Sequence, residues 1–160
     1  RYPDLRYAAV GQGSHQAALE ELAGNLAVAD RVHFLNGVSD RMLPLAYALA
    51  DVYVGASRQT EREVEGFGIA LLEAQASGKP VIAGKCGGMP DAVREGVTGV
   101  LVDSEDPAGV VGAAAIFLDD PVGAAAFGSA GRSAVESFYN WPRVVADLRS
   151  LTAEARSVPR

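Results

Sequence analysis

Two acids bracket a short apolar stretch in EVEGFGIALLEAQASGKPVIAG, residues 63–84. Glu65 stands just before Gly66, Phe67 and Gly68, and Glu73 follows eight positions after the first acid. Glycines at the start of a helix let backbone approach a ligand closely, and they leave the first-turn amides pointing outward with the positive end of the helix dipole. Such an end suits a phosphate. A helix beginning near Phe67 puts Glu73 in its second turn, and eight residues of helix counted from Glu65 would rise about 12 Å. The acids then flank an anion site rather than share it. Carboxylates accept hydrogen bonds from hydroxyls, so a diphosphate with a hydroxyl-rich ring on each side, a nucleotide sugar, answers the pattern. A second reading stays open on the same residues: Glu65 complements the helix dipole and Glu73 lies on a solvated helix face.

These residues need a scaffold, and strand-like runs alternating with helix-like ones predict one: a layered α/β domain with a parallel sheet wrapped by helices. LRYAAVG (5–11) reads as a strand. SHQAALEELAGNLAV (14–28) reads as a helix capped by Ser14, with Ala18, Leu19, Leu22 and Leu26 on one face. RVHFLNG (31–37) is the next strand, Ser39 caps a helix over DRMLPLAYALA with Pro44 in its early part, and DVYVGAS (51–57) is the third strand. The polar loop RQTEREVE leads to the acid-bracketed helix, which ends near Gly78, and PVIAG follows as the fourth strand. Gly87-Gly88 and Met89-Pro90-Asp91 make a turn opening a short helix, DAVREG, before TGVLVD (98–103) as the fifth strand. From Pro107 onward the pattern is helical only. The last helix carries Trp141, Val144, Val145, Leu148 and Leu151 at helical spacing, which predicts that it packs back on the sheet. In an open parallel sheet ligands bind beyond the carboxyl ends of the strands, where the loops after Val54 and Ala83 both arrive.

Bulk composition narrows the partners. The 160 residues are 49% hydrophobic and 21% charged, as expected of one ordinary globular domain. A net charge of −6, with no basic tract, argues against nucleic acid as a partner. Cys86 is the single cysteine, which excludes an internal disulfide or a cysteine zinc site and fits a reducing, cytoplasmic setting. No apolar run approaches the roughly 20 residues that span a bilayer, and RYPDLRYAAV lacks a signal-peptide core.

Taken in order, the motifs VGQG (10–13), RVHFLNGVSD, LPLAYALADVYVGAS, the EGFG helix with its second acid, ASGKPVIA, GGMPD, EGVTGVLVD and FYNWPRV cover nearly the whole chain. The set resembles the C-terminal half of a family 4 retaining glycosyltransferase of GT-B fold. The resemblance implies a Rossmann-like three-layer parallel sheet with helices on both faces, spanning 1–160 and binding the nucleotide sugar. It implies transfer of a hexosyl group from a nucleotide-diphosphate sugar without cofactor or obligatory metal. Glu65 is then the catalytic-centre acid that meets donor sugar hydroxyls. Gly66, Phe67, Gly68 and Ile69 line the sugar diphosphate, Glu73 takes the ribose hydroxyls, Leu72 packs near the ribose, and Val38 borders the base. Three departures stand out. FLNGV (34–38) displaces by one the glycine of the family's FLG-x-V, Asp91 replaces a common Glu, and nothing matches the GR…KG unit whose Arg and Lys neutralise the diphosphate. In the family's sheet order that missing first strand-helix unit lies between the first and third strands here, so its loss would leave two open strand edges.

The expectation is therefore a donor domain lacking its first strand-helix unit and its N-terminal acceptor domain. The missing part would come from a partner chain or a swapped homodimer through the open edges, or strands would re-pair within a truncated chain. Alone it should bind donor weakly and not catalyse transfer; in the full-length enzyme it could lie peripheral to the membrane. The rival is a noncatalytic interaction module or a split-enzyme subunit. Other residues take plainer readings. His15 and His33 lack ligand-spaced neighbours, Cys86 lacks a base partner, and Glu61 and Glu63 are solvated loop acids. VGQG lacks the third glycine of a dinucleotide fingerprint. Trp141 is read as a core residue by its helical spacing.

Overall fold

The computed structural model describes residues 1–58 and 64–157 and divides into two compact units, Arg1–Leu43 and Pro44–Arg160. The loop acids Glu61 and Glu63 lie outside the described residues.

In the first unit, strand β1 (Tyr7–Val10) pairs in parallel with β2 (Val32–Leu35), Tyr7 opposite Val32 and Val10 opposite Leu35. Helix α1 (Gln16–Asn25) connects them. Its cap position is His15, not Ser14, and no side chain caps it there. Instead, Gln16 donates to Glu20 at 2.7 Å and receives the Asn36 amide at 3.0 Å, so the chain leaving β2 is tied to the first turn of α1. This gives the FLNG departure a physical sense. Asn36 makes that bond and Gly37 takes the left-handed turn at φ +71°. The apolar face expected on α1 is not covered: Ala23 is buried, while Leu22 is half exposed at 50% and Leu19 and Leu26 are also exposed. Spacing gathers residues on one face but does not supply the surface that covers them.

In the second unit, α2 (Leu43–Leu49, beginning at the boundary) precedes β3 (Tyr53–Gly55), which pairs in parallel with β4 (Val81–Gly84), and β4 with β5 (Gly99–Val102). All four residues of β4 are buried, as befits a central strand with both faces covered. Its period of two divides the core. Val81 and Ala83 join Leu71, Ala74 and Met89 on the side of α3 (Ile69–Ala76), whereas Ile82 joins Val102, Ala113 and Phe117 on the side of α4 (Pro107–Asp119). Helix α5 (Pro121–Ser137) packs against both α3 and α4. A Cβ on its Gly128 would stand 2.0 Å from the Gly78 carbonyl oxygen, so that crossing requires glycine. The layered α/β reading and the helices on both faces hold. The parallel pairing is realised as two sheets, because among the described residues no ladder joins β1 to β3 and each lies at the edge of its sheet.

Two further expectations need correction. The short helix read over DAVREG is a single 3-10 turn, Met89–Ala92, and the chain is extended again at Val93. The stripe on α6 (Trp141–Ser157) does not pack on the sheet: Trp141 is 80% exposed and Leu148 56%, and Val144, Val145 and Leu151 are exposed too. Trp141 is thus not a core residue. Among the described residues no single helix is long and apolar enough to cross a membrane.

Candidate functional site

Helix α3 begins at Ile69, with Gly68 in the left-handed region at φ +80°. A Cβ at Gly68 would be strained and would meet Leu71 Cδ1 at 2.9 Å, so this entry into the helix demands glycine. Glu65, half buried, turns back so that its Oε1 accepts from the Gly68 amide at 3.1 Å. The carboxylate therefore lies at the positive start of α3, where the dipole favours it. Residues 65–68 are not helical, so the 12 Å helical rise between the acids does not apply. Only the four steps from Ile69 to Glu73 are helix, a rise of about 6 Å.

The GGMPD loop lies directly against this entry. The Gly88 amide donates to the Glu65 carbonyl at 3.2 Å. A Cβ on Gly87 would fall 1.9 Å from the Glu65 carbonyl oxygen, and one on Gly88 would fall 2.2 Å from that of Gly66. Two glycine loops, after β3 and after β4, are thereby stacked backbone on backbone at the carboxyl edge of the sheet. Phe67 packs against the Tyr139 ring with centroids 6.0 Å apart, and the Tyr139 hydroxyl donates to the Asp91 carbonyl. One residue of the α5–α6 junction thus touches both loops. Gln75, fully buried on α3, adds a further tie, donating to the Ala92 carbonyl at 2.9 Å.

On the next turn Leu72 is half buried against the core, and Glu73 is exposed. Glu73 is not free in space, because the Tyr47 hydroxyl donates to its Oε2 at 2.8 Å. Tyr47 comes from α2 and packs edge-on against Tyr53, ring centroids 5.6 Å apart. Its phenol titrates well above the ordinary tyrosine value, chiefly through burial, then through the hydrogen bond to Glu73 and the charges of Glu73 and Tyr53. It remains a donor at any physiological pH.

The structure thus gathers Glu65, Gly66, Phe67, Gly68 and Ile69 at the entry to α3 and sets Leu72 and Glu73 one turn beyond. Val38 belongs to the first unit, half buried in the turn after Gly37. Tyr47, Tyr139 and Gln75 lie within quoted motifs, but the sequence assigned none of them a role. Each acts across 17 to 72 residues of chain, and a spacing motif reads only neighbours. Close by, Ser57, Arg58, Lys85, Cys86, Asp103, Ser104 and Glu105 line a cavity of about 170 Å³, two of them basic and two acidic. Cys86 is buried. His15 and His33 are exposed, and no group of three metal-ligating side chains converges among the described residues.

Comparison with known proteins adds to this geometry. The family model for "Glycosyl transferases group 1" matches residues 1–134. A GDP-mannose-dependent alpha-(1-6)-phosphatidylinositol monomannoside mannosyltransferase of Mycolicibacterium smegmatis is 39% identical over 158 residues, covering 98% of this chain and 41% of its own length. Sucrose-phosphate synthase from Thermosynechococcus elongatus superposes with a TM-score of 0.81 at 28% identity, over 96% of this chain and 39% of that one. Anabaena HepE, solved with UDP, superposes with a TM-score of 0.79 at 25% identity, over 98% of this chain and 42% of that one. The chain spans about two-fifths of the length of these proteins.

Proposed function

The chain belongs to the group 1 glycosyl transferases, and from that premise we propose that it is the donor-binding part of a retaining hexosyltransferase of family 4. In this reading the donor diphosphate lies at the start of α3. There the amides of Ile69 and Ala70 lack intrahelical acceptors, and the space beside the Gly66 backbone is open. Glu65, already oriented by Gly68, meets the sugar hydroxyls. Glu73 takes the ribose hydroxyls with Leu72 beside it. No obligatory metal takes part. The isolated chain binds donor without transferring the sugar, and its setting is cytoplasmic, in line with Cys86 as its single cysteine.

One observation carries the reading: a glycine-built helix start with one acid oriented at it and a second oriented acid one turn on. The mannosyltransferase relative supports GDP-mannose as the first donor to try. HepE, solved with UDP, makes UDP-glucose the necessary comparison.

Calorimetric titration of the chain with GDP-mannose, UDP-glucose and ADP-glucose, beside a Glu73→Ala variant, tests this. We expect saturable binding of one nucleotide class, weakened about tenfold or more in the variant, as befits loss of a hydrogen bond to a charged group. A well-folded chain that binds none of the three, or a variant that binds as tightly, overturns the reading. The exposed stripe on α6 favours the alternative, an interaction module that pairs with a partner chain or a second copy. That alternative predicts concentration-dependent association by light scattering with no donor binding.

A further inference from the structure

We infer that Tyr47 is the positioning residue for ribose recognition: its hydroxyl holds Glu73 Oε2 so that the remaining oxygen, Oε1, is presented to the vicinal diol of a bound nucleoside diphosphate. The inference rests on the donor-site reading and adds to it a residue from outside the acid-bracketed helix.

An exposed glutamate on a helix samples many rotamers, and fixing it on a ligand costs side-chain entropy at the moment of binding. Glu73 is such a residue, exposed on α3, yet one of its oxygens is already engaged. The donor that engages it is itself packed against the core. Tyr47 sits on α2, its ring packs against the buried cluster that contains Leu71 and Ala74, and its edge meets Tyr53 at 5.6 Å between centroids. A phenol donating to a carboxylate makes a charge-assisted bond. An ionised carboxylate has about four acceptor directions, so one bond to Tyr47 leaves capacity for two hydroxyls of a diol. The pair thus forms a preorganised acceptor, in which the rotamer cost is met in folding rather than in binding. Tyr47 is also a dependable donor, since burial and the neighbouring carboxylate keep its proton in place.

The discriminating measurement is the preference for ribose over a sugar without the diol. The 160-residue chain is titrated with GDP, UDP and ADP, each beside its 2′,3′-dideoxy counterpart, for the wild type, Tyr47→Phe, Glu73→Ala and the double variant. Thermal unfolding of each confirms that it is folded. The wild type should prefer the ribose form of its nucleotide by about tenfold or more, as two hydroxyls bonded to a charged acceptor imply. Tyr47→Phe, which keeps the ring and its packing, should cut that preference by about threefold or more and leave dideoxy affinity unchanged. In the Glu73→Ala background the same change should have no further effect, since its route of action is gone.

A merely structural role for Tyr47 would weaken both nucleotide forms equally, and that result, or an unaltered preference in Tyr47→Phe, overturns the inference while the donor reading stands. A wild type that binds none of the three nucleotides overturns the donor reading and the inference together, whereas one that binds without preferring ribose overturns the inference. Glu73→Ala, which leaves the α2 core untouched, gives an independent check: if it keeps the wild-type preference, the diol is not read by this pair.

Discussion

Glu65 and Glu73 are each held by a hydrogen bond from within the protein, and the two bonds differ in what they ask of a ligand. Glu65 accepts from the Gly68 amide, so the plainer reading of that residue, complementing the helix start, is met by the protein's own backbone. A sugar hydroxyl would use the carboxylate's remaining acceptor directions. Glu73 accepts from Tyr47 instead, and this couples the site to pH. Tyr47 holds its proton in the folded chain above the ordinary value of 10.0, whereas the unfolded chain releases it near that value. The folded state then binds more protons than the unfolded one above about pH 10, so stability is complete below that pH and falls as pH rises beyond it. Thermal midpoints measured from about pH 8 to pH 11 should decline less steeply in Tyr47→Phe than in the wild type. Identical alkaline limbs would show that the phenol is not held in this way. The two acids were legible in the sequence because glycines and a fixed spacing mark them. Tyr47 was not, since its link to Glu73 crosses 26 residues and depends on how α2 packs.

At the scale of elements, the glycine loops show how sequence and packing divide the information. EGFG and GGMPD each announce a turn, but not that the two lie in contact. The stacking is visible only in the clash that side chains would cause, 1.9 Å from the Glu65 carbonyl at Gly87 and 2.2 Å from that of Gly66 at Gly88. Gly88 has an ordinary φ of −88°, so a substitution there tests contact without backbone strain. Gly88→Ala should push the loops apart and lower stability by about 1–3 kcal/mol in urea unfolding, with donor affinity falling alongside. A neutral effect on both would mean that the loops do not depend on each other. Helices were read less well at their ends and faces. Ser14 looked like a cap, yet α1 starts one residue later and its first turn is tied by Asn36. The apolar spacing of α6 correctly indicates a helix, but the face it defines is exposed.

At the scale of the whole molecule, the two units differ in how much they bury. Among the described residues, Ala23 is the one buried hydrophobic residue of the first unit, whereas the second holds Leu71, Val81, Ile82, Met89, Val102 and Phe117 among others. Local opening costs least where buried apolar contact is least. Hydrogen exchange should therefore be slowest at the amides of β4 and markedly faster at those of β1 and β2. Equal protection in the two sheets would show that the units are stabilised together. The sequence by itself determined the strand-helix alternation, the parallel pairing, the family, and the acids and glycines of the candidate site, because each is written in residue types at short, fixed spacings. Tertiary structure alone decided that the strands form two sheets, that the glycine loops stack, that Tyr139 bridges them and Tyr47 holds Glu73, and that the stripe on α6 lies exposed. Those outcomes depend on which surfaces meet across long stretches of chain, and spacing along one segment records only which residues share a face.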